Sequence, residues 1–296
     1  MSPRPMKQPF SEKWYKKRVD RNYRVLSSKI EAIKNTSVMI VGVGGVGGVL
    51  SELLVRAGFR RLIISDGSNF EPSNINRQIG ATFKTSTREL NKAFVMKQRL
   101  LEIDPTCDIS IIRATPKEKY SSFQQLAEEF KVSIVANCID ILEDQIKVAK
   151  LARELKAYLI IGGVIKDGTD GIVAVFTPHG IKYENLLYKV YKEPNFDNLE
   201  KKLKREWFRK TKDILPKDIK TRYELNLTTE PFPVLTPLPW IIAGIMAMEI
   251  IKISTKSHEP VLVPKVIFYK GWCTTTTIVD LEDNPESIYE MFPWRP

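Results

Sequence analysis

An apolar strand pattern that runs directly into a glycine-rich turn is the feature that most constrains the fold of this chain. Ser37–Val41 is a nearly continuous apolar, β-branched run, as expected for a strand buried on both faces. The turn Gly42–Gly48 follows, then an apolar helical stretch at Val49–Ala57 and a second strand at Arg61–Ser65 that ends at Asp66. This order of strand, glycine turn, helix, strand and acid predicts a nucleotide-binding βαβ unit.

The alternation of helices and strands continues beyond this unit. Helices are predicted at 89–103, 121–130 and 144–155, and strands at 108–114, 132–138, 157–162 and 171–177. The last of these strands follows no helix, so we expect it to be antiparallel. Strands that alternate with helices predict an α/β fold with a doubly wound, mostly parallel, Rossmann-like sheet.

Composition and pattern divide the chain into four segments of one predicted domain. They are a basic N-terminal arm and helix (1–35), a Rossmann-like ATP-binding core (36–180), a basic helical insertion (181–235), and a C-terminal helix with strands that completes the domain (236–296). The N-terminal helix is predicted within Trp14–Ile33 and an exposed basic helix at Asn198–Lys212. The most apolar helix, Trp240–Ile253, is interpreted as core or dimer interface, and a strand pair at 261–269 and 274–279 follows it.

Composition excludes several kinds of site. Of 296 residues only three are cysteines, far apart in sequence, and only two are histidines. This rules out a C-x-x-C zinc site and a histidine-rich metal site, and argues against a disulfide framework. The net charge of +11 favours acidic partners such as nucleotides, nucleic acid, an acidic protein or an anionic membrane surface. Because neither a signal-peptide pattern nor an apolar run of about 20 residues is visible, we expect a soluble cytoplasmic protein.

The glycine turn has the spacing that phosphate binding requires. Gly42, Gly44 and Gly47 fit G-x-G-x-x-G, with Gly45 between them. The first glycine permits the tight turn, the second lets the backbone approach phosphate, and the third lets helix and strand pack closely. Asp66 can accept hydrogen bonds from ribose hydroxyls. The pattern predicts an adenosine nucleotide and leaves NAD and ATP chemistry both open.

The charged residues after the second strand favour ATP. Asn74, Arg77 and Gln78 lie in one short segment, and Lys92 lies at the start of the next helix. A dehydrogenase has little use for Arg and Lys beside phosphates, whereas an enzyme that cuts between phosphates needs them where charge develops. Asp140 follows the fourth predicted strand, at the carboxyl edge of the sheet, where a carboxylate can hold Mg²⁺ together with phosphate oxygens.

These motifs together resemble the ThiF/MoeB/HesA family, the bacterial and archaeal relatives of ubiquitin-activating enzymes. The resemblance covers roughly residues 15–282, and it rests on the glycine turn, Asp66, 74–78, Lys92, Ile103–Pro105, Cys138–Asp140, Gly162–Val164 and Pro239–Ile253. It implies an ATP-dependent adenylyltransferase, which uses Mg·ATP to activate a carboxylate as an acyl-adenylate and releases pyrophosphate. Most often that carboxylate is the C-terminal glycine of a ubiquitin-like or sulfur-carrier protein.

The resemblance also implies a role for each matching residue. By position, Asp66 would bind the ribose, Asn74 and Arg77 the phosphates, Lys92 the phosphates in the transition state, and Asp140 Mg²⁺. Attack by a carboxylate needs alignment and charge neutralisation rather than a general base, which agrees with the scarcity of histidine.

An arginine from the N-terminal arm is a further expectation from the resemblance. In many family members such an arginine reaches across a two-fold dimer to the ATP of the neighbour. Arg21 matches that position best, with Arg18 and Arg24 as close competitors. We therefore expect a homodimer.

The sequence departs from the family pattern in three ways. It lacks the zinc-binding C-x-x-C pairs, so no zinc is expected, and Ile141 replaces the usual Asn after the acid. Glu230–Leu235 contains no cysteine where ubiquitin-activating enzymes carry theirs. Because Cys107 lies beside a strand and Cys138 within a buried one, we expect both to be inert. Cys273, near a C-terminal strand, is the cysteine for which reactivity stays open. Adenylation without a thioester step is the resulting prediction.

Other functions remain open at this point. A branch of the family acts on tRNA, where it cyclises threonylcarbamoyladenosine, and the basic arm and the Asn198–Lys212 helix could contact phosphates. The activated carboxylate could also belong to a small peptide. A non-catalytic partner of a ubiquitin-like protein would keep the fold, although the set Arg77, Lys92 and Asp140 argues against it. An NAD(P)-dependent dehydrogenase would share the glycine turn. His179 and His258, both in predicted loops, are assigned no role.

Thermal unfolding distinguishes the hypothesis of an ATP-dependent enzyme from that of an NAD(P)-dependent dehydrogenase. We expect Mg·ATP to raise the unfolding midpoint and NAD(H) to leave it unchanged, because only a ligand of the folded state stabilises it. At 100 times its dissociation constant a ligand adds roughly 2.7 kcal/mol. A midpoint that rises with NAD(H) and not with Mg·ATP would make the chain a dehydrogenase.

Overall fold

One mixed sheet forms the centre of the protein. The computed structural model describes residues 12–165, 168–191, 217, 220–221 and 233–284. The strands in this part of the chain are β1 Ser37–Val41, β2 Arg61–Ser65, β3 Asp108–Ile112, β4 Ile134–Asn137, β5 Tyr158–Ile165, β6 Asp170–Phe176, β7 Lys265–Lys270 and β8 Thr275–Asp280. Their order across the sheet is β3-β2-β1-β4-β5-β6-β7-β8. The pairs from β3 to β5 are parallel and those from β5 to β8 antiparallel, which confirms the predicted fold class.

Helices cover both faces of this sheet. They are α1 Glu12–Arg18, α2 Asp20–Leu26, α3 Ile30–Asn35, α4 Gly45–Ala57, α5 Phe83–Thr87, α6 Lys92–Ile103, α7 Pro116–Glu129, α8 Leu142–Glu154, α9 Tyr183–Tyr191 and α10 Pro237–Thr255. Alternate residues of a strand face opposite sides. Val38 and Ile40 accordingly belong to the core under α4, α6 and α10, and Met39 and Val41 to the core under α7, α8 and α9.

Several predicted boundaries shift for local reasons. The helix expected within 14–33 is broken into α1, α2, a 3₁₀ turn and α3, and Ser27 at the break has a φ of 52°. The helix expected from Glu89 begins at Lys92, because Glu89 has a φ of 48° and the Asn91 side chain caps the Phe94 N–H. The expected helix at Asn198–Lys212 lies outside the described residues.

The α10 helix is a core element of this fold. By length and apolar composition it could cross a membrane, and it is the one helix of the described residues that could. It packs on α4, β5 and β6, and its buried residues include Ile242, Met246 and Ile250. This confirms the interpretation as core, while Trp240 and Met248 on its other face remain exposed.

The ends of β1 and β4 meet at the point where the strand order reverses. Sequence runs outward in both directions from this pair of neighbours, so their carboxyl ends leave a crevice above the sheet. The turn after β1 comes very close to the end of β4. Gly42 has a φ of 87°, and a Cβ there would lie 2.7 Å from the Cys138 carbonyl oxygen. A Cβ on Gly47 would overlap the Gly42 carbonyl oxygen, so both positions require glycine.

Two glycine-to-alanine variants test this packing. Both Gly47 and Gly244 lie in helices, so helix propensity favours alanine at each by up to about 1 kcal/mol. We expect Gly47→Ala to destabilise the protein by about 1–3 kcal/mol, as overpacking does. Gly244→Ala should be neutral or stabilising, since nothing lies within 4 Å of its Cβ. Denaturant unfolding measures both, and equal effects would contradict the close approach at Gly47.

Candidate functional site

A cleft of about 410 Å³ crosses the carboxyl ends of the strands. The sheet order gives it two arms: one at the ends of β2 and β3, beside Ser65–Ser68 and Ala114–Pro116, and one over β5 and β6, beside Ile161–Ile165 and Ile172. The glycine turn lies between the arms. Eight of the predicted site residues line this cleft: Gly42, Gly44, Gly45, Asp66, Arg77, Gln78, Lys92 and Asp140.

Asp66 fixes the glycine turn from the end of β2. Its Oδ2 accepts a hydrogen bond from the Val43 N–H at 3.0 Å, and its Oδ1 accepts one from the Ser68 N–H at 2.9 Å. The N-cap of α4 is Gly44, which has no side chain to cap the helix. The N–H groups of the first turn of α4 are therefore available to an anion, which the helix dipole also favours.

Arg77 lies on a segment that α10 holds against the glycine turn. The Trp240 indole N–H donates to the Arg77 carbonyl at 3.0 Å. A Cβ on Gly45 would lie 3.1 Å from Pro239 and 3.8 Å from the Arg77 Cγ. The Arg77 guanidinium donates to the Ser73 carbonyl at 3.0 Å. Sequence reasoning missed Trp240, because nothing in the sequence relates the start of α10 to a segment more than 160 residues earlier.

Hydrogen bonds between the start of α6 and the loop after β2 position Lys92 at the cleft. The Asn91 side chain donates to the carbonyls of Asp66 and Ser68, each at 3.1 Å, while the Lys92 N–H donates to the Ser68 carbonyl at 3.0 Å. Lys92 is the first residue of α6. Lys92 and Arg77 thus line the cleft from two separate elements.

Gln78 brings an unsatisfied polar atom to the same cleft. It is buried, and its Oε1 has no hydrogen-bond partner within the described structure. Its amide nitrogen lies 3.7 Å from the position that a Cβ on Gly44 would take. A buried carbonyl oxygen without a donor is costly, so a ligand with an N–H or O–H group beside the glycine turn would satisfy it.

Asp140 lies three residues after the end of β4 and is exposed on the cleft. Among the described residues no group of three His, Cys, Asp or Glu side chains could hold a metal alone. Both oxygens of the other cleft carboxylate, Asp66, already accept backbone hydrogen bonds. One carboxylate beside a phosphate site fits Mg²⁺, which binds through one or two carboxylates and takes its remaining ligands from phosphates and water.

The remaining predicted site residues lie away from the cleft lining. Gly47 packs beneath the turn. Asn74 is buried in a short 3₁₀ turn, where its Oδ1 accepts the Glu71 N–H at 3.2 Å, so its contact with phosphate stays a prediction. Arg21 is exposed on α2, consistent with a role that would require a second copy.

The two competitors of Arg21 are engaged within their own chain. Arg18 forms an ion pair of 2.9 Å with the fully buried Asp104 and donates to the Val55 carbonyl at 2.7 Å. Arg24 pairs with Asp20 on the surface at 3.0 Å. Arg18 therefore anchors the N-terminal helices to the core, and removing it would leave a buried carboxylate unpaired.

The two cysteines expected to be inert have suppressed thiolates. Burial raises the pKa of Cys107 to about 12. Burial and the neighbouring Asp140 carboxylate raise the pKa of Cys138 well above its usual range. The prediction that placed Cys138 within a strand is wrong, since β4 ends at Asn137 and Cys138 lines the cleft. Cys273 is exposed on the turn before β8.

The second arm of the cleft is apolar, and a glycine lies at its base, on the surface of the sheet. A Cβ on Gly162 would overlap Met246, whereas a Cβ on Gly163 would meet nothing within 4 Å. Gly163 pairs with Ile172 across β5 and β6, and both line the cleft with Val234 nearby. This arm can take an extended chain lying flat on the sheet. Gln145 and Tyr183 also line it, and no sequence motif pointed to either.

Comparison with known proteins gives a consistent family and fold. The model of the ThiF family matches residues 19–288. The tRNA threonylcarbamoyladenosine dehydratase of Bacillus subtilis is 34% identical over 95 residues, 32% of this chain and 37% of that protein. The ubiquitin-like modifier-activating enzyme 5 of Arabidopsis thaliana is 31% identical over 160 residues, 50% of this chain and 36% of that protein. The matches thus span little more than a third of these curated relatives.

Solved structures share the fold at low sequence identity. The structure of E. coli MccB with ATP has a TM-score of 0.67 and 19% identity, covering 89% of this chain and 71% of that chain. The structure of PaaA has a TM-score of 0.66 and 16% identity, covering 95% and 77%. These likenesses support the arrangement of the sheet and helices.

Proposed function

This chain belongs to the ThiF family, and we propose that it is an ATP- and Mg²⁺-dependent adenylyltransferase that activates a carboxylate as an acyl-adenylate and releases pyrophosphate. The substrate that we favour is the C-terminal carboxylate of a ubiquitin-like or sulfur-carrier protein.

One observation carries this proposal: Arg77, Lys92 and Asp140 come from three separate elements and line one cleft with the glycine turn. A site that only bound a nucleotide would not need two cations and an acid around the phosphates. A site that breaks a bond between phosphates needs them, because charge develops on the phosphate oxygens. The same set argues against a non-catalytic partner and against a dehydrogenase.

Each side chain then has a separate task. The Asp66 carboxylate keeps lone pairs for ribose hydroxyls while its backbone hydrogen bonds hold the turn. The N–H groups at the start of α4, with Arg77 and Lys92, bind the phosphates. Asp140 would hold Mg²⁺, which when bound neutralises charge on the phosphate oxygens. Gln78 Oε1 would accept a hydrogen bond from the ligand, and Asn74 would support the phosphate segment from behind.

The attacking carboxylate would enter through the arm over β5 and β6. An in-line displacement requires the carboxylate to meet the α-phosphate opposite the pyrophosphate, and entry through this arm would supply that direction. A carboxylate is already an anion, so no general base is needed, and the apolar walls exclude water that would hydrolyse the product. This step requires no nucleophilic cysteine with a lowered pKa.

The partners follow from the same chemistry. The Arabidopsis relative is named for the activation of a ubiquitin-like modifier, and its match covers half of this chain. The net charge of +11 would favour association with an acidic protein of this kind. We further propose a homodimer in which Arg21 reaches the ATP of the second copy, and a cytoplasmic location.

ATP–pyrophosphate exchange tests the proposal directly. The purified chain is assayed with the small-protein fraction and, separately, with bulk tRNA of the source cell. We expect exchange with the protein fraction. Exchange or ATP consumption driven by tRNA alone would instead establish a modified-nucleoside substrate, which the name of the Bacillus relative keeps as the alternative.

Lys92→Ala should lower exchange by about 100–1000-fold, whereas Lys97→Ala, on the same helix, should not.

Substitution of Gly163 tests the route of the carboxylate. Because a Cβ there meets nothing within 4 Å, Gly163→Ala and Gly163→Val should fold as the wild type does. Each added methyl group occupies space that the substrate tail would take. We expect exchange to fall stepwise, by about tenfold or more for Val, with nucleotide binding by thermal shift unchanged. Full exchange activity in Gly163→Val would show that the carboxylate enters elsewhere.

A further inference from the structure

The loop that carries Asp140 runs directly into α8. The N-cap of this helix is Ile141, whose apolar side chain cannot accept a hydrogen bond from the helix. The Asp140 carboxylate itself is exposed. The backbone of this loop sets the direction of the Asp140 Cα–Cβ bond, so a rotation of the loop would carry the carboxylate away from the cleft. The direction of Asp140 therefore depends on what holds the loop.

Gln145, one turn into α8, holds the peptide group that joins Ile139 to Asp140. Its Nε2 donates to the Ile139 carbonyl oxygen at 2.6 Å. This carbonyl and the Asp140 N–H belong to one planar unit, so fixing the first orients the second. Asn137 holds the preceding peptide, because its Oδ1 accepts the Ile139 N–H at 3.4 Å while its Nδ2 donates to the Gln145 carbonyl at 3.3 Å.

Tyr183 in turn fixes the amide of Gln145. Its hydroxyl donates to the Gln145 Oε1 at 2.7 Å. The Ile139 carbonyl can only accept, so it must face the amide nitrogen, and the two hydrogen bonds leave the amide a single orientation. The ring of Tyr183 is buried and packs edge-on against Phe176, with centroids 5.9 Å apart at 84°. The network thus runs from the first residue of α9 through α8 to the Asp140 loop.

We propose that Gln145 and Tyr183 are positioning residues that preorient Asp140 for Mg²⁺. The inference rests on the proposed function, which gives Asp140 this metal. Partners that hold a metal ligand in direction raise metal affinity because the ligand loses less freedom on binding, and their loss typically costs 10–100-fold. Tyr183 also lines the cleft together with Val234, so the network joins this part of the cleft to the loop of the acid.

The test measures Mg²⁺ affinity without turnover. The full chain is saturated with α,β-methylene-ATP, Mg²⁺ is titrated, and the thermal unfolding midpoint gives the half-saturating concentration. Gln145→Met removes both side-chain hydrogen bonds at similar volume, and Tyr183→Phe removes only the hydroxyl. Tyr120→Phe is the matched control, since its hydroxyl donates to Glu154 at the far end of α8, at 2.7 Å.

We expect the half-saturating Mg²⁺ concentration to rise about tenfold in Gln145→Met and severalfold in Tyr183→Phe. It should stay at the wild-type value in Tyr120→Phe. Binding of the nucleotide in EDTA should be the same in all four proteins. In exchange assays the two network variants should lose turnover with an unchanged KM for ATP, and excess Mg²⁺ should restore it, which a general loss of stability would not allow.

Asp140→Ala separates failure of this inference from failure of the proposed function. If Asp140→Ala weakens Mg²⁺ binding while the network variants behave as Tyr120→Phe does, the positioning role is wrong and the role of Asp140 stands. If Asp140→Ala leaves the Mg²⁺ dependence unchanged, Asp140 does not hold the metal, and both claims are overturned.

Discussion

The close packing of two strand ends is the constraint on which the rest of the site depends. Gly42, with its positive φ, lies against the Cys138 carbonyl, and Gly47 lies against Gly42, so the turn after β1 packs closely on the segment that follows β4. This contact places the N-terminus of α4 beside the loop of Asp140. Any larger side chain at either glycine would separate the N–H groups at the start of α4 from the acid.

Around this contact, specific hydrogen bonds hold the segments that carry the site residues. Asp66 ties the turn, Asn91 ties α6 to the Asp66 loop, and the Trp240 indole ties α10 to Arg77. Each is a hydrogen bond from one element to the backbone of another. Because a backbone group is fixed in direction, these bonds orient whole segments rather than single side chains. The cations and the acid are therefore held by separate supports, and the loss of one would not release the others.

Sequence and structure agree most closely where the chain is locally determined. β1 and β2 have the predicted bounds, because continuous β-branched runs have one way to be buried on both faces. The observed helix ends differ from the predicted ones where the conformation of a single residue interrupts the helix. Glu89 is an example, because it has a positive φ and α6 begins only after it. The site residues in the glycine turn, Asp66, Lys92 and Asp140 follow strands or begin helices, and the sheet edge gathers such positions without further information.

The sequence by itself therefore determined the α/β class, the edge of the sheet at which the cleft lies and the charged residues that line it. It could do so because hydrophobic period and glycine spacing act over short stretches of chain. Only the tertiary structure decided that Arg18 anchors a helix while Arg21 stays exposed. It also placed Gly163 at the base of the second arm of the cleft, with open space above it. It also decided that Tyr183 reaches Asp140 through Gln145. These are contacts between distant segments, and their partners leave no periodic signal in the chain.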